Sequence, residues 1–281
     1  MLRIESLSKA QCLAPLGCHP SRNTVRPALR SRDAPEPFTA KAEPPHSWRP
    51  THPHAADTIL PVDTALNHTL ERSNVLEVAL FAYLSDAGHD GSLRSRVTTT
   101  LCGIAFEHAN SLRSLITSGN HTSAVALLRP QFEAVTRAVW LHYAATDTAV
   151  AKLVAPLTPE TEKSAGDSPS MKEMLDAIER KAHPSASQML ARFKEQSWKA
   201  MNSFVHGGTH PVNRFGEGYP PPLLVQVLQN SNGLSTMAAM VLALLSGDAN
   251  IVRRVSQCQP EFEDCLPPFV APQNTTDPAT H

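Results

Sequence analysis

Residues Leu93 to Thr117 read LRSRVTTTLCGIAFEHANSLRSLIT, and their spacing decides the fold. Val97, Leu101, Ile104, His108, Leu112 and Leu115 step by three and four, the period of one buried face of an α-helix. Gly88 and the polar run His89-Asp90-Gly91-Ser92 precede this helix as a stop and a turn, and Ser118-Gly119-Asn120 closes it.

The same period recurs on both sides. Upstream, from Val62 to Ala87, Leu66, Leu70, Val78, Phe81 and Leu84 fall on one broad face. Downstream, a third helix from about Thr122 to Ala145 has Leu128, Phe132, Val135 and Val139 as its seam. Pro130 either kinks it or marks a break near Leu128-Arg129. Residues 146–169 read as a connection, with a short helix at Ala149 to Leu153. A fourth helix opens after Pro169 with Ser170 as its cap, and carries Met171, Met174, Leu175 and Ile178 as its apolar face. A fifth runs from Ser185 to Val205 and is stopped by Gly207-Gly208. After a loop from His210 to Gly218 come a long helix, Leu223 to Leu245, and a short one, Ala249 to Ser256. No stretch alternates as a strand does. The expectation is an all-α antiparallel bundle of five or six helices over residues 61–256.

The flanks read differently. Residues 1–60 are proline-rich, with Pro44, Pro45, Pro50 and Pro53 interrupting any helix, and predict a disordered head. The first 32 residues, rich in arginine and serine and poor in acid, also have a faint transit-peptide character. Residues 257–281 lack periodicity and predict a disordered tail.

Composition narrows the function classes. A formal net charge of -1 argues against a strongly basic nucleic-acid binder. No run reaches the roughly 20 apolar residues that span a bilayer; the longest, Thr236 to Leu245, reads as a buried helix. Five cysteines, without a CxxC pair, fit a reducing cytosol, so a cytoplasmic location is expected, with Cys102 a buried free thiol. His46, His52 and His54 in the head read as solvated residues, and neither a metal nor a cofactor is expected.

Bundles place their sites between facing helices, so polar residues beside apolar seams are the candidates. Arg129 and Glu133 are four apart and stack on one helical face, with Arg137 one step further. They read either as a salt bridge or as a pair that binds an anionic or planar group through the guanidinium fork. Asn202 and His206 are also four apart, at a helix end freed by Gly207-Gly208. His206 there reads either as a cap of its own helix or as a titrating side chain in a cleft. His210 follows at zinc-like spacing, but the glycines interrupt any shared helical face. His108 reads as a core histidine.

Ala126-Leu127-Leu128-Arg129-Pro130-Gln131-Phe132-Glu133-Ala134, followed by Met201-Asn202-Ser203-Phe204-Val205-His206-Gly207-Gly208, resembles a group of uncharacterised bacterial helical proteins. In that group an Arg-x3-Glu helix precedes a helix ending in Ser-x-x-His-Gly. The resemblance spans roughly Asn74 to Gly247, and these proteins look related to the HEPN bundles of toxin–antitoxin and abortive-infection systems. It implies a HEPN-like homodimer whose partner is RNA or a cognate antitoxin. HEPN ribonucleases cut RNA with Arg-x4–6-His. Here the corresponding positions before His206 hold Met201, Ala200 and Lys199, so Lys199 is the one cation available at that spacing.

Two functions are therefore expected. One is a ligand-binding or protein-interaction module with Arg129, Glu133, Asn202 and His206 lining a cleft. The other is a metal-independent ribonuclease or nucleotide-modifying toxin, with His206 as general base and Lys199 or Arg129 steadying the phosphate charge.

Overall fold

A computed structural model of the chain describes residues 64–156, 158–159 and 168–268. The predicted head, with Cys12, Cys18 and its histidines, lies outside the described residues, as do part of the 146–169 connection and the end of the tail.

Every regular element among the described residues is helical. In chain order they are α1 (Thr64–Tyr83), α2 (Leu93–Thr117), α3 (His121–Ala126), α4 (Leu128–Tyr143), α5 (Asp147–Leu153), α6 (Met171–Lys181), α7 (Pro184–Val205), α8 (Thr209–Glu217), α9 (Pro221–Ser246), α10 (Ala249–Ser256) and α11 (Cys258–Glu261). None is long and apolar enough to cross a membrane.

The central element is α9, against which α1, α2, α4 and α10 pack. Its middle is polar yet buried. Gln131 of α4 donates to the Ser231 carbonyl at 3.0 Å and accepts from Ser231 Oγ at 2.8 Å. Asn232 donates to Ser73 Oγ of α1 and to the Cys265 carbonyl, both at 2.8 Å. Buried polar groups with partners fix register as apolar packing alone does not. The apolar run read from sequence begins at Thr236; the structure also buries Ser231 and Asn232 ahead of it.

The opening helix forms over the predicted residues, with Ser92 accepting from the Ser95 amide as its cap. Its buried face is rotated from the predicted stripe. Thr98, Cys102, Ala105, Ala109 and Leu112 lie innermost, Ile104 is 39% exposed and His108 is half-buried. Small residues let α2 approach α4 closely, so the larger apolar side chains flank the contact. Burial pushes the Cys102 thiol up to about 12. In α1, Val78 and Phe81 are 69% and 50% exposed, because Thr69, Ser73, Leu76 and Leu80 face the core.

The predicted third helix is two helices, broken at Leu127. Pro130 then stands in the first turn of α4, where its missing donor has no intrahelical role. The predicted loop after Gly208 is instead α8. The fold also continues past Ser256. Cys258, Phe262, Cys265 and Leu266 are buried, and Arg72 of α1 donates to Asp264 at 2.7 Å. Phe262 and Leu266 supply apolar surface that a short non-periodic segment hides from sequence reading.

Candidate functional site

The break at Leu127 puts Arg129 in the first turn of α4, facing the last turns of α7. There Trp198, Asn202 and His206 recur every four residues on one helical strip. The Arg129 Nε donates to Glu133 Oε1 at 2.8 Å, and one Nη1 serves two partners across the helix pair. It reaches Asn202 Oδ1 at 2.5 Å and His206 Nε2 at 3.1 Å. The guanidinium carbon lies 4.9 Å from the centre of the Trp198 ring, a cation–π distance. The cation also stands at the carboxyl end of α7, where the helix dipole favours it.

The turn that presents His206 is built by its neighbours. Gly207 takes a φ of 63°, and the Gly208 amide reaches back to the Ser203 carbonyl at 2.8 Å, the Schellman pattern. Ser203 Oγ then accepts from the His210 amide at 3.0 Å, holding the first turn of α8. A Cβ on Gly208 would lie 2.7 Å from that oxygen. The Ser-x-x-His-Gly segment is thus a helix-to-helix turn that leaves His206 exposed at the mouth of the cluster.

A guanidinium only donates, so His206 Nε2 is the acceptor in this contact. Arg129 retains Nη2 without a hydrogen-bond partner among the described residues. Its side chain is 20% exposed.

Four of the sequence-predicted residues, Arg129, Glu133, Asn202 and His206, therefore come together. Lys199 does not join them. It is exposed and lines the adjoining trough between α6 and α7 beside Glu179 and Glu195. His108 stands on α2, outside the cluster. Arg137, the next step of the Arg129–Glu133 strip, lines the cleft beside Arg129 together with Trp198, Lys172 and Lys194, which carry no sequence motif. For Trp198 the local signal was the four-residue step to Asn202.

Fold and site define an all-helical protein in which one arginine ties two helices at the edge of a polar cleft. Residues 102–268, more than half of the chain, match the Family of unknown function (DUF6988), and the chain belongs to that family. Nothing among the curated proteins matches it, and no solved structure does.

Proposed function

We propose that the chain is a HEPN-like ligand-binding or protein-interaction module of a bacterial stress or defence system, with Arg129 as its recognition residue. One observation carries this. The guanidinium is held by Glu133, Asn202, His206 and the Trp198 ring, yet Nη2 has no hydrogen-bond partner among the described residues, and Arg129 lines a cleft. A pre-oriented donor loses little freedom on binding, so an anion gains more from it than from a mobile lysine. The homodimer, and RNA or a cognate antitoxin as partner, belong to this reading through the HEPN resemblance.

The test is a melting experiment with acetate and inorganic phosphate as probes. Saturating anion should raise the wild-type melting temperature by several degrees through mass action, roughly 2–4 °C per kcal/mol for a domain of this size. Arg129→Lys keeps the charge and loses the fork, so the rise should disappear. An equal rise in both proteins removes the reading.

A second reading, a metal-independent ribonuclease or nucleotide-modifying toxin, is favoured by the acceptor state of His206 Nε2. That nitrogen can take a proton as a general base. Arg129, rather than Lys199, is then the cation placed to steady phosphate charge. Induction in a host should slow growth and fragment RNA, and His206→Ala should abolish both. Intact RNA and equal growth with either protein eliminate this second activity.

A further inference from the structure

Beside Arg129 lies a cleft of about 540 Å3 whose charge is one-sided. Arg129, Glu133 and Arg137 form one wall, a strip of α4 with four-residue steps. Lys194 and Trp198 of α7 face it, and the first turn of α6 brings Lys172. Among the described residues four cations and one carboxylate line the cleft; Glu133 is committed to Arg129 and Lys172 reaches Asp176 at 3.0 Å, which leaves Arg137 and Lys194.

Arg137 is the telling residue. It is half-buried and has no acceptor among the described residues. Arg72, Arg94, Arg113 and Arg129, which are likewise withdrawn from solvent, each hold a carboxylate: Asp264, Asp147, Glu77 and Glu133. Lys194 makes no ion pair among the described residues, stands between this cleft and the neighbouring trough, and rests 5.6 Å from the Trp198 ring centre. Holding such cations along one walled cleft costs energy through repulsion, and an anion of matching charge returns it. A single carboxylate would leave most of that charge unmatched. A phosphoryl group carries about -1.5 to -2 near neutrality and offers three acceptor oxygens. The first turn of α6 adds donors: Ser170 and Glu173 satisfy each other's amides, which leaves those of Met171 and Lys172 at the cleft.

We infer that this cleft is a binding site for a dianionic phosphoryl group, as in a phosphate monoester or pyrophosphate, gripped by Arg137 and Lys194 with Arg129 at its edge. It deepens the reading of Arg129 as the recognition residue by naming the ligand class.

The full chain is titrated with pyrophosphate, glycerol phosphate and the monoanionic diester dimethyl phosphate. Sodium chloride holds the ionic strength constant, and acetate is titrated separately. Tryptophan emission is followed, since Trp198 lines the cleft, and calorimetry is run in parallel. The dianions should bind saturably, and dimethyl phosphate should bind at least about tenfold more weakly. Arg137→Gln and Lys194→Gln should each weaken the dianions by about tenfold, the loss of one charge-assisted contact. Their ligand-free melting temperatures should stay near wild type. Trp198→Phe should lose the emission change. Absence of saturable binding by calorimetry overturns the inference, and so does unchanged affinity in both charge variants. If Arg129→Lys alone abolishes binding of acetate and phosphate, the phosphoryl site fails while the Arg129 reading stands. If Arg129→Lys binds as wild type while the other two do not, the Arg129 reading fails and the phosphoryl site stands.

Discussion

Arg129 has two jobs that a single substitution separates by readout. Its bonds to Asn202 and His206 join α4 to α7 while Glu133 holds it from within α4, so Arg129→Ala should lower stability by about 1–3 kcal/mol in urea unfolding. The surface pair with Glu133 supplies only a few tenths of that. Most of the loss should be shared with Asn202→Ala, and a double-mutant cycle of the two should show clear coupling. Additive effects would mean that the Arg129–Asn202 bond contributes nothing. Histidines elsewhere set an acid limit. Burial lowers the pKa of His121, against a raising effect of the Ile116 carbonyl. Burial, and then the charge of Arg94, lower that of His142. The unfolded chain protonates these rings near the ordinary value of about 6.5, where the folded chain does not. Their contribution is therefore complete above that value and is lost as pH falls below it, until the folded rings protonate too. Asp90, whose pKa is held down to about 2 by bonds from Ser95 and Ser92, acts only in the more acid range below the carboxylate value. Between about pH 8 and pH 5 the wild type should therefore lose more melting temperature than a His121→Gln/His142→Gln protein. Parallel losses would show that other groups dominate that range.

At the scale of the element, the caps are where the chain states its own boundaries. Ser170 opens α6 with a complete capping box: its side chain accepts from the Glu173 amide, and Glu173 accepts from the Ser170 amide. Ser170→Ala should cost about 1 kcal/mol, read as a lower denaturant midpoint with an unchanged slope. A midpoint equal to wild type would mean that solvent replaces the cap. Such signals were legible in sequence, as were the ends of α2 and α10. The rotation of α2 was not, because alanine, threonine and cysteine score weakly as apolar residues yet permit the closest helix contact. Nor was α8 legible, since its first turn is held by Ser203 of the preceding helix rather than by a cap of its own. The candidate site divides in the same way. Arg129 with Glu133, and Asn202 with His206, were visible as four-residue steps along single helices. Arg137 against Lys194 was not, because they lie on different helices far apart in the chain and meet only when α4 and α7 pack side by side. Lys199 stands out in sequence only by its spacing from His206, and that spacing leads into the neighbouring trough.

The whole molecule closes on its last described segment rather than at Ser256. Phe262 and Leu266 are buried, the Cys265 carbonyl accepts from Asn232 in the middle of α9, and Asp264 holds Arg72 of α1. The segment thereby joins the central helix to the first one, closing a contact between sequence positions nearly two hundred residues apart. Burying a phenylalanine and a leucine contributes about 1.5–3 kcal/mol each. Against a total stability of about 5–15 kcal/mol, that is a large fraction. Residues 1–60 carry no apolar period and are expected to add nothing comparable. A chain starting at Pro61 should keep its helical circular dichroism and melting temperature, whereas one ending at Ser256 should melt much lower or fail to fold. Because a failed fold alone says little about cause, a subtler variant serves as the second arm. A Cβ on Gly233 would lie 2.9 Å from Pro267 Cγ, so Gly233→Ala presses on the segment without removing it. It should destabilise the full chain by about 1–3 kcal/mol, as overpacking does. The same substitution should have little effect in a chain ending at Ser256, if that shorter chain folds. Wild-type stability for both the Ser256 truncation and Gly233→Ala would place the end of the cooperative unit at α10, where the apolar period stops.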